Sequence, residues 1–276
     1  MPCVGRESTA TWTEGHVPRC MVIYTDRLDG SGYVDMKLGS SMFLGTAGWS
    51  LARDQWPAFP PAGTHLQRYA ARLPAVEINT SFYRPHRPAT YVRWAESVPD
   101  TFRFCVKMPK EITHERRLIG CEEALDRFLH ECGHLGHKLG CLLVQLPPSL
   151  AFDAASAAAF IETLRAQYAG PVAIEPRHPS WLAAEALLQQ GGIARVAADP
   201  APFPGAAESG GWAGLRYFRL HGSPRIYYSS YTDDWLETLQ LRFAEQPAGT
   251  PIWCIFDNTA SGAATANVLA LEQRLG

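Results

Sequence analysis

A stretch near the middle of the chain, VAIEPRHPSW at residues 172–181, joins an apolar run to ionisable side chains. Glu175, Arg177 and His178 come within four positions, directly after Val-Ala-Ile. A carboxylate or an imidazole can exchange protons, and a guanidinium can bind an anion through paired hydrogen bonds. These residue types at the end of a buried strand therefore indicate acid–base chemistry or anion binding.

Other apolar runs of the chain end in the same way. The polar side chains near their ends are Glu77, Asn79, Lys107, Gln145, Asp199, Arg219, His221, Asp257 and Asn258. Side chains alternate between the two faces of a strand, so Ala173, Glu175 and Arg177 share one face. The apolar face should meet helices, which leaves the polar strand ends on the inner side of the sheet.

These runs belong to a regular alternation of strand-like and helix-like segments. The strand-like runs cover residues 43–49, 75–82, 102–108, 141–147, 172–178, 193–199, 215–222 and 251–258. Apolar residues recur with helical spacing between them, except in the PAPFPGAAESGGWAG segment. The pattern predicts a (β/α)8 TIM barrel with an eight-stranded parallel sheet. A doubly wound open sheet is less favoured, because GTAGWS stands where a G-x-G-x-x-G would follow the first strand.

In such a barrel the carboxyl ends of the strands converge on one mouth, where the active site lies. We therefore predict a shared polar cavity whose catalytic residues are Glu77, Lys107, Glu175 and His221. Glu175 or Glu77 would act as the base and His221 as the proton donor. The alternative is a purely structural network, in which buried charges pair only with one another.

The composition limits the partners of the protein. A net charge of -2 and a pI near 6.5 give no overall attraction for nucleic acid or anionic lipid. The seven cysteines include no C-x-x-C pair, so neither a disulfide framework nor a cysteine zinc site is predicted. Without a long apolar run or the apolar centre of a signal peptide, the protein is predicted to be cytoplasmic, with no membrane partner.

Periodicity divides the chain into two parts. Residues 1–41 are polar and rich in Gly and Ser, and only MVIY at 21–24 reads as a strand. We predict that 1–41 is either a disordered extension or the product of a mis-assigned start codon. Residues 42–276 are predicted to form the barrel domain.

Seven motifs occur in order along residues 43–275: GTAGWS, VEINTSFY, FRFCVKMPKEITH, LLVQLPPS, IEPRHPSW, YFRLHG and FDN. In this combination they resemble the DUF72 (YecE-like) family. The resemblance implies a TIM-barrel fold, in agreement with the strand pattern. It implies no particular reaction.

The resemblance carries the family's polar positions over to the catalytic candidates and to a substrate-binding set. That set comprises Asn79, Tyr83, Gln145, Arg177, His178, Trp181, Asp199, Arg219, Gly222 and Asn258. We add Asp257, because the chain reads Phe-Asp-Asn at 256–258 where the family commonly has Phe-Asn-Asn. A further carboxylate is thereby expected near the mouth. Pro176 cannot donate a backbone hydrogen bond, so a local bulge is one interpretation of this strand end.

Two metal sites compete with this interpretation. HECGH at 130–134 matches the zinc-protease motif, but the apolar stripe of its helix should turn His130, His134 and His137 toward solvent. A divalent metal at the mouth remains an alternative, with the ligands Glu77, Glu175, Asp199, His221 and Asp257. Lys107, Arg177 and Arg219 would compete for these carboxylates, so no cofactor is predicted.

Lys107 admits two roles at the mouth. Nearby arginines would depress its pKa and favour Schiff-base chemistry, whereas Glu77 or Glu175 would raise it again. We favour a lysine that holds an anionic group. Basic loops after the strands, including Arg84, Arg87 and Lys110, also suit an anion.

The sequence thus predicts an enzyme that performs acid–base chemistry on a small anionic, even phosphorylated, metabolite at the barrel mouth. The reaction class stays open among hydrolase, lyase and isomerase. The alternative is a non-catalytic module that binds a ligand or single-stranded nucleic acid through its basic and aromatic loops, and this alternative is less favoured.

Overall fold

The structure is a computed structural model, and it describes residues 42–276. The boundary predicted after residue 41 and the strand-like run at 21–24 concern residues outside this range. Within it, each strand-like run and each helical pattern of the sequence forms an element of the predicted type.

The described residues contain both strands and helices in regular alternation. The strands are β1 (Met42–Thr46), β2 (Ala75–Ile78), β3 (Arg103–Lys107), β4 (Leu139–Gln145), β5 (Val172–Glu175), β6 (Ile193–Arg195), β7 (Ala197–Asp199), β8 (Gly210–Gly211), β9 (Arg216–Leu220) and β10 (Ile252–Phe256). The α-helices are α1 (His65–Ala70), α2 (Pro88–Glu96), α3 (Glu122–Cys132), α4 (Ala154–Gln167), α5 (Glu185–Gln190), α6 (Asp233–Ala244) and α7 (Ala263–Leu275). Short 3-10 turns at Thr80–Phe82 and Pro179–Ala184 and a π-helical turn at Glu111–Glu115 follow β2, β5 and β3.

The strands form two sheets whose ladders are parallel, apart from the antiparallel pairing of β8 with β6. One sheet has the order β1-β10-β9-β7 and the other the order β2-β3-β4-β5-β6-β8. The fold is therefore α/β with parallel-rich sheets, as the sequence predicts. The single closed eight-stranded barrel is not confirmed, because the ladders within residues 42–276 do not join the two sheets into one.

The strand predicted at 193–199 is interrupted at Val196. Its first half, β6, pairs with β5, and its second half, β7, pairs with β9. The Val196 amide still donates to the carbonyl of Ile174 at 2.9 Å, before the chain turns to the other sheet. This change of partner explains why a single continuous ladder does not form here.

The other boundary between the sheets lies between β1 and β2. Here a side chain takes the place of ladder bonds: the Tyr69 hydroxyl accepts from Thr46 N at 2.8 Å and donates to Ala75 O at 2.9 Å. A Cβ at Gly45 would meet Ala75 O at 2.1 Å, so only glycine permits this approach of the two strands. One parallel bridge, between Ala47 and Glu77, continues the contact.

Apolar residues fill two separate layers of the protein. The larger layer lies between strands and helices and includes Phe104, Leu125 and Phe128. The smaller one lies on the inner faces of the strands, where Tyr217 and Trp253 stack with ring centroids 6.0 Å apart. This inner apolar layer, which also contains Cys105, Cys141 and Leu143, forms the base on which the polar strand ends rest.

Helix α3 carries the HECGH motif on the outer wall. Leu125, Phe128 and Cys132 are buried on one side of this helix. His130, His134 and His137 are exposed, as the apolar stripe predicts. No helix of residues 42–276 combines the length and apolar character that crossing a membrane requires.

Candidate functional site

The carboxyl ends of strands from both sheets meet in one group of charged residues. Glu77 lies in β2 and Glu175 ends β5 in one sheet, while Arg219 lies in β9 of the other. His221 and Asp257 follow β9 and β10, and all five side chains are buried. We call these five residues the ionic cluster. Its contacts run from one sheet to the other, so the cluster also links the two sheets.

Arg219 is the centre of the ionic cluster and has no exposed surface. Its Nε and Nη2 donate to the Glu77 carboxylate, with a shortest distance of 2.7 Å. Nη1 donates to Glu175 Oε2 at 3.1 Å, and Nη2 lies 2.9 Å from Asp257 Oδ2. Burial alone would lower the pKa of Arg219, but the surrounding carboxylates raise it well above its usual range. Each nitrogen of this guanidinium thus has an acceptor inside the protein.

His221 joins two carboxylates of the ionic cluster. Its Nδ1 lies 3.1 Å from Asp257 Oδ2, and its Nε2 lies 2.9 Å from Glu175 Oε1. Arg177 Nη2 lies 3.0 Å from the same Nε2 and 2.5 Å from Glu175 Oε1. A protonated Nε2 can donate to Glu175, and an unprotonated Nε2 can accept from Arg177. His221 therefore has a partner in either state, as a proton carrier requires.

Two carboxylates of the ionic cluster, Glu175 and Asp257, are held in their charged form. Burial raises the pKa of Glu175, but Arg177, Arg219 and His221 outweigh burial and hold it well below its usual range. Burial also raises the pKa of Asp257, and Arg219 with His221 reverses the shift to a net lowering. A carboxylate with such a low pKa is a weak base. Glu175 is thus better suited to orienting His221 than to removing a proton itself.

Lys107 ends β3 beside the ionic cluster and is 6% exposed. Its Nζ lies 4.3 Å from the centre of the Phe82 ring, a cation–π contact. Across residues 42–276, Nζ has neither a hydrogen-bond acceptor nor a carboxylate at ion-pair distance. Burial lowers the pKa of Lys107 to about 8, and Arg219 adds to this effect, although the carboxylates of the cluster oppose it. The amine is therefore poised to exchange a proton near neutral pH.

Other polar groups beside the cluster also lack partners. Arg177 Nε and Asn79 Oδ1 are buried without a hydrogen-bond partner in the described part of the chain. Asn79 otherwise donates through Nδ2 to Asp257 Oδ1 at 3.3 Å. A buried donor without an acceptor costs about 1–3 kcal/mol, so such groups call for a further partner. Gln145 is engaged, since its Oε1 accepts from Arg219 Nη1 at 3.2 Å.

His114 is a site residue whose place the strand pattern does not predict. It lies on the π-helical turn after β3, and its ring stands edge-on to Phe82 at 4.9 Å. Burial lowers the pKa of His114, and the charges of Lys107 and Arg177 lower it further. His114 and Lys107 Nζ both contact the ring of Phe82. π-Helical turns occur often at functional sites, but no simple residue pattern announces them. The only signal was the basic character of this loop.

Three residues predicted to bind substrate lie outside the ionic cluster, after β2 and β5. His178 caps the 3-10 turn at Pro179–Ala184, and its Nδ1 lies 2.7 Å from Ser180 Oγ. Trp181 is 2% exposed, packs against Phe152 and donates to the Leu150 carbonyl. Tyr83 is 72% exposed on the rim. The first two have roles within the fold, and Tyr83 is open to solvent.

Three further residues of the predicted substrate-binding set support the loop after β9. Asp199 Oδ1 accepts from the Tyr231 hydroxyl at 2.8 Å, and that hydroxyl accepts from Gly222 N at 2.8 Å. Gly222 has φ +89, and a Cβ there would meet Ser229 O at 2.7 Å. Asn258 donates to Ser229 O and to Asn267. These contacts fix the loop that carries His221 at its start.

Tyr217 supports the ionic cluster from below. Its hydroxyl donates to Glu77 Oε2 at 2.9 Å and also lies 3.3 Å from Cys105 Sγ. Burial raises the pKa of both Tyr217 and Cys105, so neither ionises near neutral pH. Tyr217 lies two residues before Arg219 in β9 and therefore shares its face, but the strand pattern does not predict its bond to Glu77.

Neither proposed metal site is assembled within residues 42–276. No group of three or more His, Cys, Asp or Glu side chains there is placed to hold a metal ion. At the mouth, the reason is that Arg219 occupies the space between Glu77, Glu175 and Asp257. The cysteines among these residues are buried free thiols: Cys105, Cys121, Cys132, Cys141 and Cys254.

The fold and the site define a class of protein. It is an α/β protein with parallel strands and a buried ionic cluster at the strand ends, where some cationic nitrogens have no hydrogen-bond acceptor within residues 42–276. A family model described as "Protein of unknown function DUF72" matches residues 43–276. The chain belongs to this family, which confirms the resemblance of its motifs.

Relatives and solved structures agree with this assignment. The chain is 32% identical over 147 residues to UPF0759 protein YecE of Escherichia coli (strain K12). This match covers 50% of this chain and 53% of the relative. It is 30% identical over 148 residues to UPF0759 protein YunF of Bacillus subtilis (strain 168), and this match covers 51% of this chain and 52% of the relative. The match thus spans about half the length of these relatives. A DUF72 family structure from Enterococcus faecalis V583 has a TM-score of 0.70 at 23% identity over 86% of this chain and 98% of that one. Another, from Thermotoga maritima MSB8, has a TM-score of 0.67 at 25% identity over 85% and 99%.

Proposed function

We propose that the ionic cluster, with Lys107 and Arg177, is the active site of an enzyme that performs acid–base chemistry on a small anionic molecule. One observation carries the proposal: cationic donors at the site lack acceptors, while the carboxylates there are already engaged. Lys107 Nζ has no acceptor in residues 42–276, and Arg177 Nε is buried without one. The oxygen atoms of a bound anion would supply hydrogen-bond acceptors to both groups.

The carboxylates cannot easily serve these donors instead. Glu77 accepts from Arg219 and Tyr217, and Glu175 accepts from Arg219 and lies against Arg177. Turning either carboxylate toward Lys107 would break a charge-assisted hydrogen bond of a fully buried guanidinium. An external anion is the acceptor that leaves the existing bonds intact.

Proton transfer is assigned to His221 and Lys107. His221 is oriented by Asp257 at Nδ1 and by Glu175 at Nε2, which suits it to pass a proton. Lys107, with a pKa of about 8, can hold or release a proton near neutral pH. Glu77 and Glu175 then stabilise charge on Arg219 and His221. This assignment changes the prediction that one of them is the base.

A barrel-like arrangement of the two sheets is part of the same proposal. The bridge between Ala47 and Glu77 supports it at one boundary, and the continuous chain of 193–199 supports it at the other. The ionic cluster binds residues of both sheets, so it would hold the mouth of an incompletely paired barrel together.

The test is binding of inorganic phosphate, measured by titration calorimetry on the full chain. Lys107→Met and Arg177→Met should each weaken binding by about tenfold or more, the loss of a charge-assisted hydrogen bond. Arg72→Met is the matched control, because Arg72 is an exposed cation that precedes β2 and is ion-paired with Glu272, and it should change binding less than about twofold. A metabolite screen for turnover then identifies the reaction.

Two outcomes would contradict the proposal. Phosphate binding that is absent, or that is equally weak in all variants, would show that the unfilled donors do not form an anion site. Salt-sensitive retention on single-stranded DNA that survives Lys107→Met would favour the binding module instead.

A further inference from the structure

The described lysines of this chain lie in different environments. The sequence contains lysines only at positions 37, 107, 110 and 138, and the structure describes the last three. Lys110 is exposed and lies 2.9 Å from Glu115. Lys107 and Lys138 are both buried, at 6% and 7% exposure. Burial alone therefore does not set Lys107 apart.

The difference between the two buried lysines lies in their acceptors. Lys138 Nζ donates to the carbonyls of Ala95 and Val98, both at 2.8 Å. Lys107 Nζ has no such acceptor in the described part of the chain and rests on the face of Phe82. Hydrogen-bond acceptors hold an ammonium in its charged form, whereas their absence favours a neutral amine with a free lone pair. Lys107 is thus in the environment of a nucleophile, and Lys138 is in that of a structural cation.

The surroundings of Lys107 also supply what a carbonyl compound would need. Arg177 Nε is buried and lacks an acceptor, so it would donate to an anionic group of the ligand. His114 contacts the same Phe82 ring as Lys107 Nζ. Its Nδ1 is 2.8 Å from Thr113 Oγ1, and its Nε2 has no partner among residues 42–276. An imidazole with one free nitrogen beside the amine can give and take protons during an addition.

We propose that Lys107 forms an imine with the carbonyl carbon of an anionic substrate, a step that names the substrate class of the site and rests on the proposed function. The neutral amine attacks the carbonyl carbon, and the π electrons of the carbonyl move to its oxygen. A proton passes from nitrogen to oxygen through His114, which gives a carbinolamine. Protonation of the hydroxyl by His114 and loss of water then leave an iminium with a C=N bond to Nζ. Its N–H proton returns to His114, which gives the neutral imine. One amine and one carbonyl give one imine and one water, so no further reactant is required.

The test is reductive trapping on the full chain at pH 7 with glyoxylate and sodium cyanoborohydride. The reductant supplies hydride to the imine and fixes it as a carboxymethyl group on the lysine, which peptide mass mapping locates. Lys110 and Lys138 are internal controls in the same molecule. We expect Lys107 to be labelled at least about tenfold faster than Lys110, because more of its amine is neutral at pH 7.

Two comparisons test the anionic part of the substrate class. Glycolaldehyde has the same size as glyoxylate but lacks the carboxylate, so it should label Lys107 more slowly. Arg177→Met should slow labelling by glyoxylate more than labelling by glycolaldehyde. Equal rates with the two aldehydes, or no effect of Arg177→Met, would overturn the assignment of an anionic carbonyl compound.

Failure of this inference can be told apart from failure of the proposed function. If Lys107 is labelled no faster than Lys110 while Lys107→Met still weakens phosphate binding, the amine holds anions without forming imines. The imine is then excluded and the proposed function stands. If Lys107 is not preferentially labelled and phosphate does not bind, both are overturned. A labelling rate that rises with pH to a midpoint near 8 supports the imine.

Discussion

The inner faces of the strands hold two layers that differ sharply in chemistry although the same strands build both. Two residues along β9, Tyr217 gives way to Arg219, and two residues along β5, Ala173 gives way to Glu175. A two-residue step along a strand is about 6.6 Å. The transition from the inner apolar layer to the ionic cluster therefore takes place within one side-chain step on each strand.

The two layers also differ in how they depend on their members. In the inner apolar layer most side chains act by filling space. A substitution by a residue of similar volume therefore costs little stability. In the ionic cluster each charge depends on a specific partner, since a buried charge that loses its partner remains desolvated. The inner apolar layer therefore tolerates substitutions that keep the volume of the side chain. The ionic cluster tolerates only substitutions that keep the charge.

The largest effect should come from removing the centre of the ionic cluster. Arg219→Met would leave the Glu77, Glu175 and Asp257 carboxylates buried without their shared cation, at a cost of about 3–5 kcal/mol in unfolding free energy. Chemical denaturation measures this cost, with Arg216→Met on the same strand as the partly exposed control. Equal costs for the two variants would show that the buried carboxylate partners of Arg219 do not account for the loss.

A somewhat smaller loss is expected in the inner apolar layer. Leu143→Ala would remove buried methyl groups and leave a cavity, which costs about 2–5 kcal/mol. Leu241→Ala is the control, because Leu241 is 61% exposed. This loss should not vary between pH 5 and pH 9, as measured by denaturation, since no ionisable group is changed. A strong pH dependence would show that the two layers are not independent.

Replacement of Lys107 should stabilise the protein, in contrast to the two replacements above, because the charge of Lys107 is unfavourable in the folded protein. Its pKa falls from 10.5 to about 8 on folding, so the unfolded chain binds more protons between these values and stability rises with pH across them. Lys107→Met should therefore stabilise the protein by up to about 3 kcal/mol below pH 8, with the gain vanishing as the pH approaches 10.5. Denaturation curves of this variant and of Lys110→Met across pH 6–10 check the sign. A loss of stability at pH 7 would mean that Lys107 is a structural partner of the carboxylates.

The outer wall gives the baseline for both layers. His130 and His134 are exposed on and after α3, so replacing both with Ala should change stability by no more than about 0.5 kcal/mol. Thermal melting detects this difference. Stoichiometric zinc that survives dialysis against a chelator in the wild type, and is lost in this variant, would contradict the assignment of these histidines to a solvated surface.

Much of this arrangement could be predicted from the sequence, because alternation along a strand fixes which side chains share a face. It placed Glu77, Glu175 and Arg219 together on the inner side, and the structure has them in direct contact. The exchange of strand partners at Val196 could not be predicted, because it changes the hydrogen-bonding neighbours without changing the apolar pattern. The pairing pattern within the cluster was also beyond reach, since distances between strands far apart in sequence decide which carboxylate meets Arg219.

Motif membership was a weaker guide to the role of single residues. His178 and Trp181 lie in the IEPRHPSW motif, yet their contacts stabilise the turn after β5. A motif contains residues that the fold needs as well as residues that the site needs. Membership of a motif therefore does not show which of these roles a residue has. His114 was missed as a proton-transfer candidate for a related reason: its position depends on a π-helical turn that adds a residue to a helical repeat.

The hydroxyl of Tyr69, which spans Thr46 and Ala75, has a consequence for how this fold can vary among descendants. Ladder bonds are made by the backbone, which every sequence possesses, and no codon change other than one to proline can delete a donor from it. The bond at the boundary between β1 and β2 exists only while a tyrosine codon persists. Part of the junction between the two sheets therefore depends on a single side chain, and substitution of Tyr69 can weaken it without changing the backbone pairing within either sheet.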